Sequence, residues 1–362
     1  MAKQNEYVPQ SVPHPGETLA EKLEELGIGP KEFAVRTDKP EKTITAVLKG
    51  KSSITPDMAI LFEKILYIPA HFWLNKQLRY DEYVARAKNK VTVKDSVSWA
   101  KKFPFADMVG KGWLPNFSGI EERTEALLSF FRLSNADSWQ DYYFGQKLKL
   151  DFRISLTNTH EPHAISAWLR QGEIAAEKLI APAFDEKKFK EILYEIKTLM
   201  ATDSKPFSKL PELCLTAGVK VVYTPCLPKA PISGSTRWIN DTPLIQLSGR
   251  YNRIDSFWFT FYHEAGHILL HGKKDIFLEE VDYTGKDSGK EDEANAFAEK
   301  WTLSLDEEAE ILEVFSIDDE VIERFAKKFN THPAIIVGRL QRRGFKSHGF
   351  GRKYIDPVIL VE

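Results

Sequence analysis

Residues 257–272 read FWFTFYHEAGHILLHG, and the reading of the chain turns on them. His263, Glu264 and His267 form H-E-x-x-H on a helical stretch. Two histidines one turn apart face the same way, so both imidazoles can reach one Zn²⁺ at about 2.0 to 2.1 Å. Glu264 then stands beside the metal, placed to take a proton from its water. The bland alternative is a buried helix whose histidines are satisfied by ordinary hydrogen bonds. Against it, Trp258, Phe259, Phe261, Ile268 and Leu269 make the helix apolar nearly all round, and polar residues interrupt it only at the motif. Burying a glutamate between two histidines without a metal is costly. A structural zinc site usually closes all four positions with Cys or His, whereas this set suits an open, catalytic position.

A third ligand has to come from elsewhere. His271 lies two turns beyond His263, about 12 Å along the axis, which reads as a polar helix end before Gly272. The Met-turn class needs Gly and His where this chain has Leu270 and Lys273, and is excluded. Downstream, GKEDEANAFAEKWTL offers Glu291, Ala294, Asn295 and Ala298 on one helical face. Glu291 can bind the metal while Asn295 orients a ligand histidine from behind. Glu293, on the neighbouring stripe with Phe297 and Trp301, competes for the ligand role. Both acids also suit the solvated first turn of a helix, where the dipole favours them.

Upstream of the motif, VKVVYTPCL, GSTRWIN and TPLIQLSG are short β-rich runs separated by Pro, Gly and Asn-Asp. Three strands preceding a helix predict an α+β domain over 201–362. An extended substrate is expected to pair with an exposed strand such as Leu244 to Leu247. Tyr262 and His332 are candidates for stabilising the oxyanion. Residues 86–200 are mostly helical in pattern and read as a linker or scaffold without a chemical constellation of their own. The late stretch IERFAKKFNTHPAIIVGRLQRRG has helix-turn-helix rhythm, but its apolar positions look like core.

At the other end, Leu19, Leu23 and Leu26 mark an amphipathic helix from Gly16 to Leu26. Gly27 and Gly29 stop it, Pro30 to Thr37 makes a second, and a turn at Asp38-Lys39-Pro40 leads into a third from about Glu41 to Lys49. With GKSSITPDMAILFEKIL as a fourth helix, this is an all-α helix-turn-helix module over 1–85. If DNA is bound, Lys39, Lys42, Thr43 and Thr45 are placed for bases, and Lys49 and Lys51 for phosphates. Residues 1–90 hold 14 Lys and Arg against 12 Asp and Glu, about +2 net, so a dimerisation or protein-docking module is the competing reading.

The whole chain has 362 residues and a formal charge of -2, enough for two or three domains and without chain-wide attraction to nucleic acid or anionic membrane. Only two cysteines, Cys214 and Cys226, occur, unlike a secreted disulfide scaffold. No apolar run approaches the roughly 18 residues that span a bilayer. A cytoplasmic protein with no membrane partner is the expectation.

HEAGHILLH followed by EDEANAFAEK resembles the ImmA/IrrE-type zinc metallopeptidases, with ISGSTRWI and PLIQLSGRY fitting their strands over roughly 201–344. In that family the ligand Glu opens E-x-x-A-N-x-F-A, met by Glu291, Ala294, Asn295, Phe297 and Ala298; the resemblance therefore raises Glu291 over Glu293. A small apolar run ending in Pro, which often follows, is replaced by Lys300-Trp301-Thr302-Leu303-Ser304. The N-terminal part resembles HigA-type antidote proteins through HPGETLAEKLEELGIGPKEFA, VLKGKSSIT and HFWLNKQLRYDEY, over roughly 14–83. This resemblance implies a homodimer on operator DNA within a toxin–antitoxin operon. Together they imply a transcriptional regulator with a zincin-like endopeptidase domain that cleaves a regulatory protein, with Glu264 as general base. The alternative is a non-enzymatic antitoxin that binds a cognate toxin and uses its peptidase-like domain as a sensor.

Overall fold

The computed structural model describes residues 11–143, 161–202, 206–228, 230–272, 277–278, 288–358 and 360. The chain divides into two compact units, Met1–Asp95 and Ser96–Glu362.

The first unit is all helical: α1 (Pro15–Glu25), α2 (Pro30–Arg36), α3 (Glu41–Leu48), α4 (Pro56–Leu66) and α5 (Ala70–Asp95). Its helix starts follow from local chemistry. The His14 Nδ1 accepts the Gly16 N–H at 2.9 Å ahead of Pro15, and the Thr55 hydroxyl accepts the Met58 N–H at 3.3 Å ahead of Pro56. That second cap is why the fourth helix begins at Pro56 and not at Gly50. Asp38, at φ 51°, turns the chain between α2 and α3. Leu19, Phe33, Ile44, Val47, Phe62 and Trp73 meet in one buried core, each contributing about 1.5 to 3 kcal/mol of transfer free energy. Helix α5 runs on past the boundary expected at 85.

In the second unit α6 (Val97–Ala100), α7 (Phe105–Gly110), α8 (Ile120–Phe131), α9 (Ala136–Tyr143), α10 (Pro162–Glu177), α11 (Glu186–Thr202) and α12 (Leu210–Thr216) precede a sheet. Strands β1 (Lys220–Tyr223), β2 (Gly234–Ile239) and β3 (Thr242–Leu247) lead into α13 (Ile254–Leu270). The two-residue β4 (Phe277–Leu278), α14 (Ser288–Thr302), α15 (Leu305–Leu312), α16 (Asp319–Phe329) and α17 (Pro333–Arg342) follow. The sheet order is β1-β3-β2-β4, with β1 parallel to β3 and the other pairs antiparallel. Both the all-α N-terminal domain and the α+β C-terminal part therefore match the expected fold class.

Side chains alternate across this sheet. Val221, Trp238, Ile245 and Leu247 join the core that contains α13 and α17, while Val222 and Leu244 pack with Ala176 of α10. The α10 face is also polar: Arg237 Nη2 donates to the Leu169 carbonyl at 2.7 Å and Gln246 Nε2 to the Trp168 carbonyl at 2.7 Å. Gly172 permits this approach, since a Cβ there would lie 2.1 Å from the Gln246 amide. With both faces covered, the strands read as nearly unbroken buried runs.

Two expectations change. Phe189, Leu193, Ile196 and Met200 of α11 lie in the same core as α13, so the boundary expected at 200 runs through one hydrophobic core. Strand β3 pairs with β1 on one side and β2 on the other over Leu244 to Leu247. Its backbone is already committed and offers no edge to an extended substrate.

Candidate metal centre

Helices α13 and α14 pack closely because small residues face each other. Ala265, Ala294 and Ala298 are fully buried, and a Cβ on Gly266 would sit 3.2 Å from Phe297. This contact sets Glu291, in the first turn of α14, against the two histidines of α13. His263 Nε2 lies 3.0 Å from His267 Nε2. Glu291 Oε2 is 3.3 Å from the former and its Oε1 is 3.9 Å from the latter. One ligand atom from each of the three residues lies within 4.8 Å of the others, and all three residues are buried.

The hydrogen bonds behind the imidazoles show which atoms face inward. Asn295 Oδ1 lies 3.1 Å from His263 Nδ1; an amide oxygen accepts, so Nδ1 carries the proton and Nε2 presents its lone pair. His267 Nδ1 lies 2.9 Å from His271 Nδ1, and His271 Nε2 donates to Glu293 Oε2 at 3.0 Å. The Phe277 ring stacks on His267 with centroids 3.7 Å apart. Two imidazole lone pairs and a carboxylate thus converge. Glu291 Oε1 is buried and has no hydrogen-bond donor among the described residues, which costs about 1 to 3 kcal/mol unless a cation satisfies it. The donor set fits a divalent metal of the nitrogen- and oxygen-binding kind.

Glu264 is wholly buried. Thr236 of β2 donates to its backbone carbonyl at 2.9 Å, and a Cβ on Gly234 would lie 2.7 Å from its Oε1. Glycine at the start of β2 therefore makes room for the carboxylate. Tyr262 is also buried, but its hydroxyl donates to the Leu193 carbonyl at 3.3 Å and its ring stacks on Trp301; burial holds its pKa well above the ordinary value. His332 caps α17, its Nδ1 accepting the Ala334 N–H at 3.1 Å, and burial pushes its pKa down. These bonds account for both residues without an oxyanion role.

The structure brings together His263, His267 and Glu291, with Asn295 behind the first histidine. It places Glu293 on His271 instead of among the converging atoms. His271 ends α13 as expected, but its bond to His267 and the stack of Phe277 on that ring escaped sequence reasoning. For His271 a signal existed, since it follows His267 by four residues and shares its face; for Phe277 there was none. In the first unit Lys42, Lys49 and Lys51 are exposed around α3, while Lys39, Thr43 and Thr45 are half-buried.

A family model described as the IrrE N-terminal-like domain, of the Peptidase M78 family, matches residues 214–341. The uncharacterized HTH-type transcriptional regulator YddM of Escherichia coli is 33% identical over 81 residues, 22% of this chain and 84% of that protein. Virulence-associated protein A of Dichelobacter nodosus is 36% identical over 72 residues, 19% of this chain and 69% of the other. A solved addiction module antidote protein of the HigA family from Coxiella burnetii is 34% identical, covering 24% of this chain and 95% of that one with a TM-score of 0.23.

Proposed function

The chain belongs, through its N-terminal segment, to the HTH-type transcriptional regulators, and we propose that it is a DNA-binding regulator whose C-terminal domain is a zinc-dependent endopeptidase acting on a regulatory protein. The observation that carries the peptidase half is the convergence of His263, His267 and Glu291 within 4.8 Å beside Glu264. Bound there, Zn²⁺ supplies Lewis acidity toward a water and a peptide carbonyl.

The chain's own residues do the rest. Asn295 fixes the tautomer of His263, and Phe277 fixes the ring plane of His267. Glu264 follows His263 directly and is held against β2. It is the general base that removes a proton from the attacking water and returns it to the nitrogen of the leaving chain. The closely packed wall at Gly234 keeps its carboxylate in place.

In the first unit α3 is the reading helix, with Lys39, Lys42, Thr43 and Thr45 toward bases and Lys49 and Lys51 toward phosphates of the operator. Support comes from the helix-turn-helix placement of α2 and α3 and from the regulator kinship. A homodimer in the cytoplasm, acting on a regulatory protein or a cognate toxin, completes this reading; among the described residues no helix is long and apolar enough to cross a membrane.

Glu264→Gln is the test, because it keeps shape and ligands while removing the base. The variant should bind Zn²⁺ like wild type but lose about 10² to 10⁴-fold in cleavage rate. Cells carrying it should accumulate an intact protein that wild-type cells cut. Unchanged regulation and unchanged proteolytic products in such cells would replace the peptidase with a metal-bearing sensor.

A further inference from the structure

We infer that His271 and Glu293 form an outer relay that sets the tautomer and orientation of His267, making both of them positioning residues of the metal centre. This rests on the metal reading above and assigns a role to two residues that hold no ligand position.

The direction of the relay follows from donor and acceptor chemistry. Glu293 is a carboxylate and can only accept, so His271 Nε2, 3.0 Å away, is the donor. A neutral imidazole protonated at Nε2 has a bare Nδ1. That atom lies 2.9 Å from His267 Nδ1, so His267 Nδ1 donates to it. His267 is thereby left with an unprotonated Nε2, which faces His263 Nε2 at 3.0 Å and Glu291 Oε1 at 3.9 Å. Reversing any one bond would put a proton where the metal has to bind.

Burial supports the assignment. The His271 side chain is only 3% exposed although it caps α13, whereas the Glu293 carboxylate is 66% exposed. The imidazole of His271 therefore carries the influence of a solvent-facing carboxylate inward to a wholly buried ligand. The two metal-binding histidines are backed differently: His263 by the neutral amide of Asn295, His267 by an imidazole that is itself bonded to an anion. A carboxylate behind a ligand imidazole raises its basicity and fixes its ring. The ring stack of Phe277 on His267 constrains its plane but cannot choose its tautomer.

The experiment uses the full chain and Zn²⁺ alone, with affinity measured by competition against a chromophoric chelator. His271→Phe keeps an aromatic ring and removes both bonds; it should weaken Zn²⁺ binding about 10 to 100-fold. Glu293→Gln should weaken it several-fold, and should add nothing in the His271→Phe background, because the carboxylate acts only through that ring. Imidazole ¹⁵N shifts of the metal-free protein should show His267 protonated at Nδ1 in wild type and a mixture of tautomers in His271→Phe. Circular dichroism identifies any variant that fails to fold, and Glu293→Gln, on an exposed side chain, keeps the test intact in that case. Affinities within twofold of wild type, or losses that simply add in the double variant, would overturn the relay while leaving the metal site standing. A wild-type chain that binds no Zn²⁺ would overturn both.

Discussion

Replacing Glu291 by Gln should reverse the order of stability between metal-free and metal-loaded protein. Without metal, Glu291 Oε1 is buried and lacks a donor among the described residues, at a cost of about 1 to 3 kcal/mol. Its Oε2 lies 3.3 Å from His263 Nε2, and in the tautomer set by Asn295 both are acceptors. An amide nitrogen at that position turns the contact into a hydrogen bond to the imidazole. Metal-free Glu291→Gln should then be more stable than metal-free wild type by about 1 to 3 kcal/mol. At roughly 2 to 4 °C per kcal/mol for a unit of this size, the difference in Tm is about 2 to 12 °C. With Zn²⁺ at about 1,000 times its Kd, wild type gains about 4.1 kcal/mol, and the variant, short of a ligand, gains little. The melting order should therefore cross. Calorimetry of the full chain, first in chelator and then in excess Zn²⁺, reads both arms, and metal analysis after desalting counts the ion. A wild-type transition that ignores Zn²⁺, or a variant that melts below wild type in chelator, would refute the converging-acceptor argument. Should Glu293→Gln lose the ion altogether while Glu291→Gln keeps it, the ligand would be Glu293.

Gly234→Ala should cost about 1 to 3 kcal/mol, because the new Cβ would lie 2.6 Å from Thr260 Cγ2 and 2.7 Å from Glu264 Oε1; denaturant midpoints measure it, and cleavage should slow with Zn²⁺ stoichiometry unchanged. His163 stacks on Trp139 with centroids 4.4 Å apart, and burial pushes its pKa down to about 4. Its folded form favours the neutral ring, so its contribution is complete above pH 6.5 and is lost as pH falls from 6.5 toward 4. After discounting for partial exposure this is on the order of 2 kcal/mol, and urea midpoints at pH 7 and 4.5 should converge partway in His163→Phe. Lys42→Ala and Thr45→Ala should weaken binding to the protein's own promoter, whereas Lys49→Ala should chiefly lower the salt slope by about one; wild-type protein that fails to retain the promoter at low salt would leave α3 a docking surface.

The helical phase of residues 257–272 was enough to set His263 and His267 on one face, because i and i+4 coincide on any α-helix. The same periodicity set Glu291 and Asn295 on one stripe of α14, and Pro and Gly signals delimited the first three helices of the first unit to within a residue or two. It could not choose between Glu291 and Glu293, since both fit a first turn and the choice depends on which stripe α14 turns toward α13. The resemblance to a family supplied that preference, and the packing of Ala294 and Ala298 supplies its physical cause.

Local rules determined the spacing of the two histidines, the helix starts and the fold class, since each depends chiefly on neighbours within about one helical turn. Long-range packing decided the rest. That β3 is interior, that α10 and α11 belong to the unit of the sheet, and that Gly234 opens space for Glu264 all depend on residues far apart in the chain. So does the link from Glu293 through His271 to His267, whose acid lies on α14 and whose two rings lie at the end of α13. Periodicity records which face of an element is buried; it carries no record of what lies across from that face, and the candidate metal centre is made of what lies across.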